Sequence, residues 1–539
     1  MRPTVPALAI VSRRLPLLLS GVGLALSLWS SGLHAATLQR GNGPEPATLD
    51  AHKCQEVACG NILRDLYEGL VTESASGQLI PGTAQSWTVS ADGLRWTFHL
   101  RPNLRWSNGK PLDAPQIVAG FRRAFTPETA APFAELFDAV HNAALVTAGR
   151  LPVTALGITA PDARTVQFQL DRSANLPALL ILPIAMPVYL PAVQAHGAKF
   201  TQPGNLVSNG AYALEAWTPQ ANLTLVRNAQ FHDAAKVRME RVRFHVTEDA
   251  AAELQRFAAG DLHLTEVVPP QPLPALRKRF GSQLRISPYI GSFYLGLNLT
   301  QAPFKGNPRL RQALSMAVDR DLLTRYVAGL GEQPAFGIVP PGISGYTPAV
   351  AWWSVGTTQA QRAARARQLY REAGYSAERP LEIELRYNTS TPHRRLALAV
   401  AAMWRDTLGV RVHLRNEEWK VFVNNRKQRV ITQVFRGGWI ADVPDPRNFL
   451  VGYGQFDNAL NWSGLNDPAF TERLARSDRA RNEKARLLWL RAAETRLLNQ
   501  DAVIPLYYYT SKHLVASAVR GFEANALDHH ASRWLDLQP

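Results

Sequence analysis

The sequence predicts an α/β protein of about two to four domains. Three observations carry this. A chain of 539 residues, 46% hydrophobic and 19% charged, can bury large cores and does not have a disordered composition. Leu381–Leu385 alternates as a strand, the stretch after Thr391 repeats apolar residues at helical spacing until Gly409, and Val410–Leu414 alternates again. Strand, helix and strand in that order suggest a βαβ unit and a partly parallel sheet. Elsewhere, Trp87–Val89 and Leu94–Leu100 flank Asp92-Gly93, a preferred two-residue hairpin turn, so antiparallel pairing is expected as well.

Taken in order, residues 1–35 read as an export signal. Arg13-Arg14 precede an apolar run from Leu15 to Leu28 that is short for a membrane span, and Ala35 offers a small residue for cleavage before Ala36. Ser12-Arg13-Arg14 hints at twin-arginine export, but Pro16 stands where a non-proline apolar residue is usual, so the Sec and twin-arginine routes both stay open. No cysteine follows the cleavage point, so no lipid anchor is expected there and the mature protein is expected free in a periplasm. Thr37–Arg40 then reads as a strand entering a sheet, and a helix with Ile62, Leu63, Leu66, Tyr67 and Leu70 on its apolar face is expected to start near Asn61. Gln116–Phe125 has helical spacing and Thr165–Leu170 alternates as a half-buried strand. The apolar run from Leu176 to Pro191 carries four prolines, which a spanning helix tolerates poorly, so buried loop and short strand are expected. Leu223–Val226 and Val242–Val246 read as strands, and Ala250–Ala259 as a helix closed by Gly260. Ser292–Asn298 alternates as a strand, with a domain crossing expected at Tyr289–Gly291. Helices are expected from Arg309 and over Gln359–Ala373, and Ile504–Tyr509 is a late apolar run that would return the chain to the first lobe.

Formal charge is +16, but the basic residues are scattered and no dense Lys/Arg block appears, so nucleic acid is not an expected partner. The only cysteines are Cys54 and Cys59. In an oxidising compartment they pair, closing a small ring worth about 2 kcal/mol by chain entropy. The rival is a metal site with His52, for which no fourth ligand is evident. No Gly-x-Ser-x-Gly elbow, His-Glu-x-x-His or phosphate-cradling lysine loop is present, and the thirteen histidines give no metal-ligand spacing. No catalytic residue, metal or cofactor is therefore assigned.

The most informative stretch is Arg436-Gly437-Gly438-Trp439-Ile440-Ala441-Asp442. Glycines let a backbone approach a ligand closely, the indole offers a flat face with one donor, and the carboxylate can hold a cation. Alone, the stretch also fits a loop acid beside a core tryptophan. Its companions are Asp50–Lys53, Arg64–Leu70, Tyr387–Ser390, Met403-Trp404, Leu408–Val410 and Glu418–Phe422. Together, in this order from about Thr37 to the C-terminus, they resemble the periplasmic oligopeptide-binding proteins of ABC importers, the family 5 extracellular solute-binding proteins.

The resemblance implies an α/β, type II-like periplasmic-binding-protein fold (cluster C), with two main lobes joined by a hinge plus an extra third domain. The expected division is signal peptide 1–35; a discontinuous lobe I of 36–67, 190–289 and 510–539; the extra domain (lobe II) at 68–189; and lobe III at 290–509. It places the anion for a peptide's terminal amine at Asp442, and ligand-facing groups at Arg436, Gly438, Trp439 and Ile440. Arg436 meets either a ligand carboxylate or an interlobe acid; Trp419 is either a pocket wall or core. Tyr289 and Tyr294 match ligand-lining tyrosines, and Gln55 and Val57 match a segment pairing with the ligand backbone. Three departures leave ligand length and side-chain preference open. Gln55 replaces a frequent glutamate, the Cys54–Cys59 pair flanks that segment, and His263–Val268 lacks the asparagines of relatives. The expected function is a monomeric, non-enzymatic receptor that delivers oligopeptides to the permease subunits of an ABC importer in the inner membrane. The alternative is a receptor for murein peptide or another solute, and the outside alternative is a periplasmic chaperone or hydrolase.

Overall fold

The protein is described here by a computed structural model covering residues 37–269, 271–453 and 460–538; the expected signal at 1–35 lies outside these residues. Three sheets organise the chain. In the first, Thr37–Gly41 pairs in parallel with Arg241–His245, which continues antiparallel through Asn222–Arg227 to Tyr212–Thr218. The second is antiparallel, in the order Ala84–Val89, Arg95–Leu100, Thr165–Gln169, Ile158–Asp162. Its first pair is the expected hairpin, with Trp87 opposite Phe98, but the turn is longer than the two residues expected: the Ser90 N–H donates to the Arg95 carbonyl and the Gly93 N–H to the Ser90 carbonyl, each at 2.9 Å.

The third sheet has six strands, in the order Gln333–Pro334, Val503–Leu514, Leu284–Leu297, Val434–Ile440, Glu382–Asn388, Arg411–Glu417. The βαβ unit is here: Glu382–Asn388 and Arg411–Glu417 run parallel, joined by the helix Thr391–Leu408, which Gly409 ends in a left-handed conformation. That helix buries Leu396, Val400 and Trp404, and the Trp404 indole N–H donates to the Leu314 carbonyl at 2.8 Å. Among the described residues, no helix is long and apolar enough to cross a membrane.

Two expectations need correction. The stretch 176–191 contains no strand; it forms the short helix Leu176–Leu179, a 3₁₀ turn at Pro183–Ala185 and the start of the helix Leu190–His196. Pro177, Pro183 and Pro191 each occupy a first-turn position, where a missing N–H costs nothing. The first α-helix starts at Val57, not near Asn61, so it begins inside the disulfide ring.

The long strands Leu284–Leu297 and Val503–Leu514 form the frame for the site. Their pairing is regular from Leu284 to Pro288, shifts register before Ser292, and resumes into the six-stranded sheet. At the shift, the Ile290 N–H donates to the Ala526 carbonyl at 2.7 Å, and the Ile290 carbonyl accepts the Ala441 N–H at 2.9 Å. One residue thus fastens the C-terminal loop and the strand ending at Ile440. Past Leu514, Val515 bridges to Leu264, and Leu264 to Arg40, so the late apolar run does lead back to the first sheet.

Gly437 is fixed by packing. A Cβ there would lie 2.3 Å from the ring of Tyr294, which is itself buried at 4% exposure. Gly437→Ala is expected to destabilise the protein by about 1–3 kcal/mol through overpacking. Calorimetric melting would read this as a lowered Tm; an unchanged Tm would mean that the ring yields freely.

Candidate ligand cleft

A cleft of about 570 Å³ opens beside this frame, a size suited to a small extended ligand. Its walls come from four places: residues 54–64, the turn at 181–183, the loop 266–268, and the frame itself through Tyr289, Ile440–Asp442, Thr510–Lys512 and Leu527–His529. Five of the ten residues expected at the ligand meet here: Gln55, Val57, Tyr289, Ile440 and Asp442. Val57 is 59% and Ile440 45% exposed, so two apolar side chains stand uncovered at the cleft wall. Cys54 and Cys59 are joined, with Cα atoms 5.9 Å apart. The reading of a metal site with His52 fails, because that ring turns away to the Met186 carbonyl (3.0 Å) and Arg123 (2.8 Å).

Asp442 has no cationic partner among the described residues. Burial pushes its carboxyl above the ordinary aspartate value, opposed by a hydrogen bond from the Asn448 side chain. Asn448 is aimed in turn by Trp439, whose indole N–H donates to the Asn448 Oδ1 at 2.6 Å. Trp439 therefore acts behind the carboxylate and is absent from the cleft wall. Asp445, three residues on, contrasts with this: it is buried and paired with the Arg486 guanidinium. The two acids of the run Asp442–Asp445 thus have opposite environments.

The other expected residues group elsewhere. Arg436 has no carboxylate partner among the described residues, so it is not an interlobe salt bridge here. Its Nη2 lies 3.3 Å from the His393 Nε2, its guanidinium lies over the rings of Phe293 and Trp419, and its Nε is buried without a hydrogen-bond partner. Burial, then the Arg436 charge, lowers His393 to about 4, which keeps the ring neutral at physiological pH. Trp419 is 49% exposed and opens the helix Trp419–Gln428, so it is not core. Tyr294 faces Gly437 and Tyr453 and lines a small cavity with Trp439, apart from the main cleft. Gly438 pairs with Phe293 on one side. The parallel neighbour Glu382–Asn388 reaches only Val434 and Phe435, so the second edge of 436–440 has no strand partner among the described residues.

Sequence reasoning missed the charged floor. Asn61 donates to the Glu266 carboxylate at 2.9 Å, Arg64 bonds His529, and His529 bonds Glu73 at 2.8 Å. Lys512 donates to the Thr510 carbonyl at 2.9 Å and reaches Glu332 at 3.4 Å. Burial pushes the Tyr289 hydroxyl up to about 12, reinforced by the carboxylates of Asp528 and Glu266. Arg64 and Glu266 lay inside stretches that the sequence does single out, whereas Asp528 and His529 carried no signal. The cleft wall holds the acids Glu56, Glu266, Asp442 and Asp528 against Arg64 and Lys512, an acid excess in a protein of net charge +16.

With this geometry in hand, the comparisons are specific. A family model described as bacterial extracellular solute-binding proteins, family 5 middle, matches residues 78–460. The chain is 36% identical over 492 residues to the periplasmic oligopeptide-binding protein OppA of Salmonella typhimurium, covering 90% of this chain and 89% of that protein. The unliganded open form of the periplasmic murein tripeptide-binding protein MppA aligns at TM-score 0.87 and 34% identity, over 94% of this chain and 98% of that one. Haemophilus influenzae OppA in complex with the peptide RPPGFSPFR aligns at TM-score 0.70 and 30% identity, over 94% and 99%. This chain belongs to the family 5 bacterial extracellular solute-binding proteins.

Proposed function

We propose that the protein is a periplasmic receptor that captures short peptides by their free terminal amine and hands them to an ABC permease. One observation carries this reading: Asp442 is a partly desolvated carboxylate at the cleft wall, oriented by Asn448 and Trp439 and lacking a cation. Leaving a charge in that state is unfavourable, and an ammonium group removes the deficit. The unpartnered edge of 436–440 supports capture of an extended backbone by strand addition, the one recognition mode indifferent to side chains. Arg436, with an unused buried Nε, takes a ligand carboxylate at the far end. The relatives named as peptide-binding proteins support the same reading.

In this reading the lobes divide as the sequence suggests and close by bending where Leu284–Leu297 and Val503–Leu514 shift register. The protein acts as a monomer after export and cleavage before Ala36, and makes or breaks no bond. A murein peptide is the second candidate cargo, favoured by the alignment with open MppA and by Arg64 and Lys512 in the cleft, which suit an acidic branch.

Three outcomes are expected. Asp442→Asn weakens binding of a tri- or tetrapeptide by about 3–5 kcal/mol, roughly a hundredfold or more, with the circular dichroism spectrum unchanged. Calorimetric titration measures it, and undiminished affinity would reject the anchor. Acetylating the peptide's amine produces a loss of the same order in the parent protein and little further loss in Asp442→Asn. Affinity also falls as the medium is acidified through the raised value of Asp442, because binding the ammonium requires the ionised carboxylate. The fall begins at a higher pH than an ordinary aspartate near 3.9 would give.

A further inference from the structure

We infer a second, inorganic site behind the cleft wall: a divalent transition-metal site formed by His513, Asp528 and His530. Among the described residues, these three bring one ligand atom each within 4.8 Å of one another. The His513 Nε2 lies 2.9 and 3.0 Å from the two Asp528 oxygens, and the His530 Nε2 lies 3.1 Å from Asp528 Oδ1. Two ligand atoms on a common first-row ion, each about 2.0–2.2 Å from it, stand roughly 3–4 Å apart. A cation seats among them by displacing the Nε2 proton of His513 to solvent and replacing the hydrogen bonds that now join the three side chains.

Three features separate this group from a chance cluster. The His513 Nδ1–H donates to the Thr265 carbonyl at 2.8 Å, the outer-shell bond typical of a ligating histidine, and its Nε2–H now donates to Asp528, so an arriving cation takes the place of the Nε2 proton. The His530 ring stacks on Phe522 at 4.0 Å and meets the His513 ring edge-on at 5.3 Å, so packing sets both ring directions. His513 and His530 are buried, while Asp528 lines the ligand cleft. Three protein ligands leave a further coordination position to be filled by water, and Asp528 connects the group to the cleft. Two imidazoles and one carboxylate suit Zn²⁺, Ni²⁺ or Co²⁺ better than Mg²⁺ or Ca²⁺. Glu266 lies close enough to act on both His513 and Asp528 and adds negative charge, while Arg40, bonded to the His530 carbonyl, opposes it.

The test uses the untagged mature protein, stripped with a chelator and titrated with Zn²⁺. Native mass spectrometry and calorimetry are expected to find one tightly bound equivalent. Substituted Co²⁺ is expected to give the visible absorption of a site with few ligands. His530→Ala, which leaves the His513–Asp528 pair in place, and Asp528→Asn should each weaken Zn²⁺ binding by roughly tenfold or more and remove the Co²⁺ band. His196→Ala, at an exposed histidine, should change neither. Absence of a stoichiometric Zn²⁺ equivalent, or equal affinity in His530→Ala and Asp528→Asn, would overturn the site.

Discussion

The arrangement depends on a carboxylate kept partly out of water with no opposite charge to meet it. Asp442 sits at the end of a strand whose last backbone bond runs from Ala441 to Ile290, so its position is set by the sheet and not by a free loop. Asn448 supplies one hydrogen bond, which holds the group without neutralising it. A carboxylate desolvated without a charge partner is unfavourable, and under the proposed function a ligand ammonium relieves that deficit. Asp445 shows the structural alternative: it is buried and paired with the Arg486 guanidinium. The two acids differ in this: Asp445 has its counter-charge within the fold, and Asp442 has none among the described residues.

The frame explains why so few residues fix so much geometry. Leu284–Leu297 passes from one pairing register to another at Pro288–Ser292, and Ile290 at that point holds both the Asp442 strand and the loop carrying Asp528. Gly291 and Gly437 lie on the facing strands nearby, each where a Cβ would strike a side chain, Tyr509 or Tyr294. Small residues here let aromatic rings close over the backbone, so the strand ends are held by packing as well as by hydrogen bonds. The hinge proposed at the register shift would leave the pairing of the six-stranded sheet beyond it intact.

Much of this was legible in the sequence, and the limits are physical. Period-two and period-3.6 patterns located the βαβ unit around Thr391–Leu408 and the hairpin at Asp92-Gly93, because each element buries one face. The same logic failed at 176–191, where the apolar residues are buried on all sides and no period survives; there the prolines marked helix starts, not breaks. The motif singles out Asp442, but the contacts of its neighbours are not legible there. Trp439 serves the site through Asn448, and Tyr294 through Gly437, relations that exist only once strands are paired. His513, Asp528 and His530 escape any spacing rule, since a strand and a loop bring them together.

Net charge would have misled more than silence. The protein carries +16, yet many of its arginines are already spent on acids or carbonyls: Arg123 on Asp50, Arg447 on Asp478, Arg320 on four backbone oxygens. At physiological ionic strength a charge is screened beyond about 8 Å, so distant arginines contribute little at the cleft. What a ligand meets there is the local set, in which Glu56, Glu266, Asp442 and Asp528 outnumber Arg64 and Lys512. The proposed preference for a positive end group rests on that local excess, inside a protein whose overall sign points the other way.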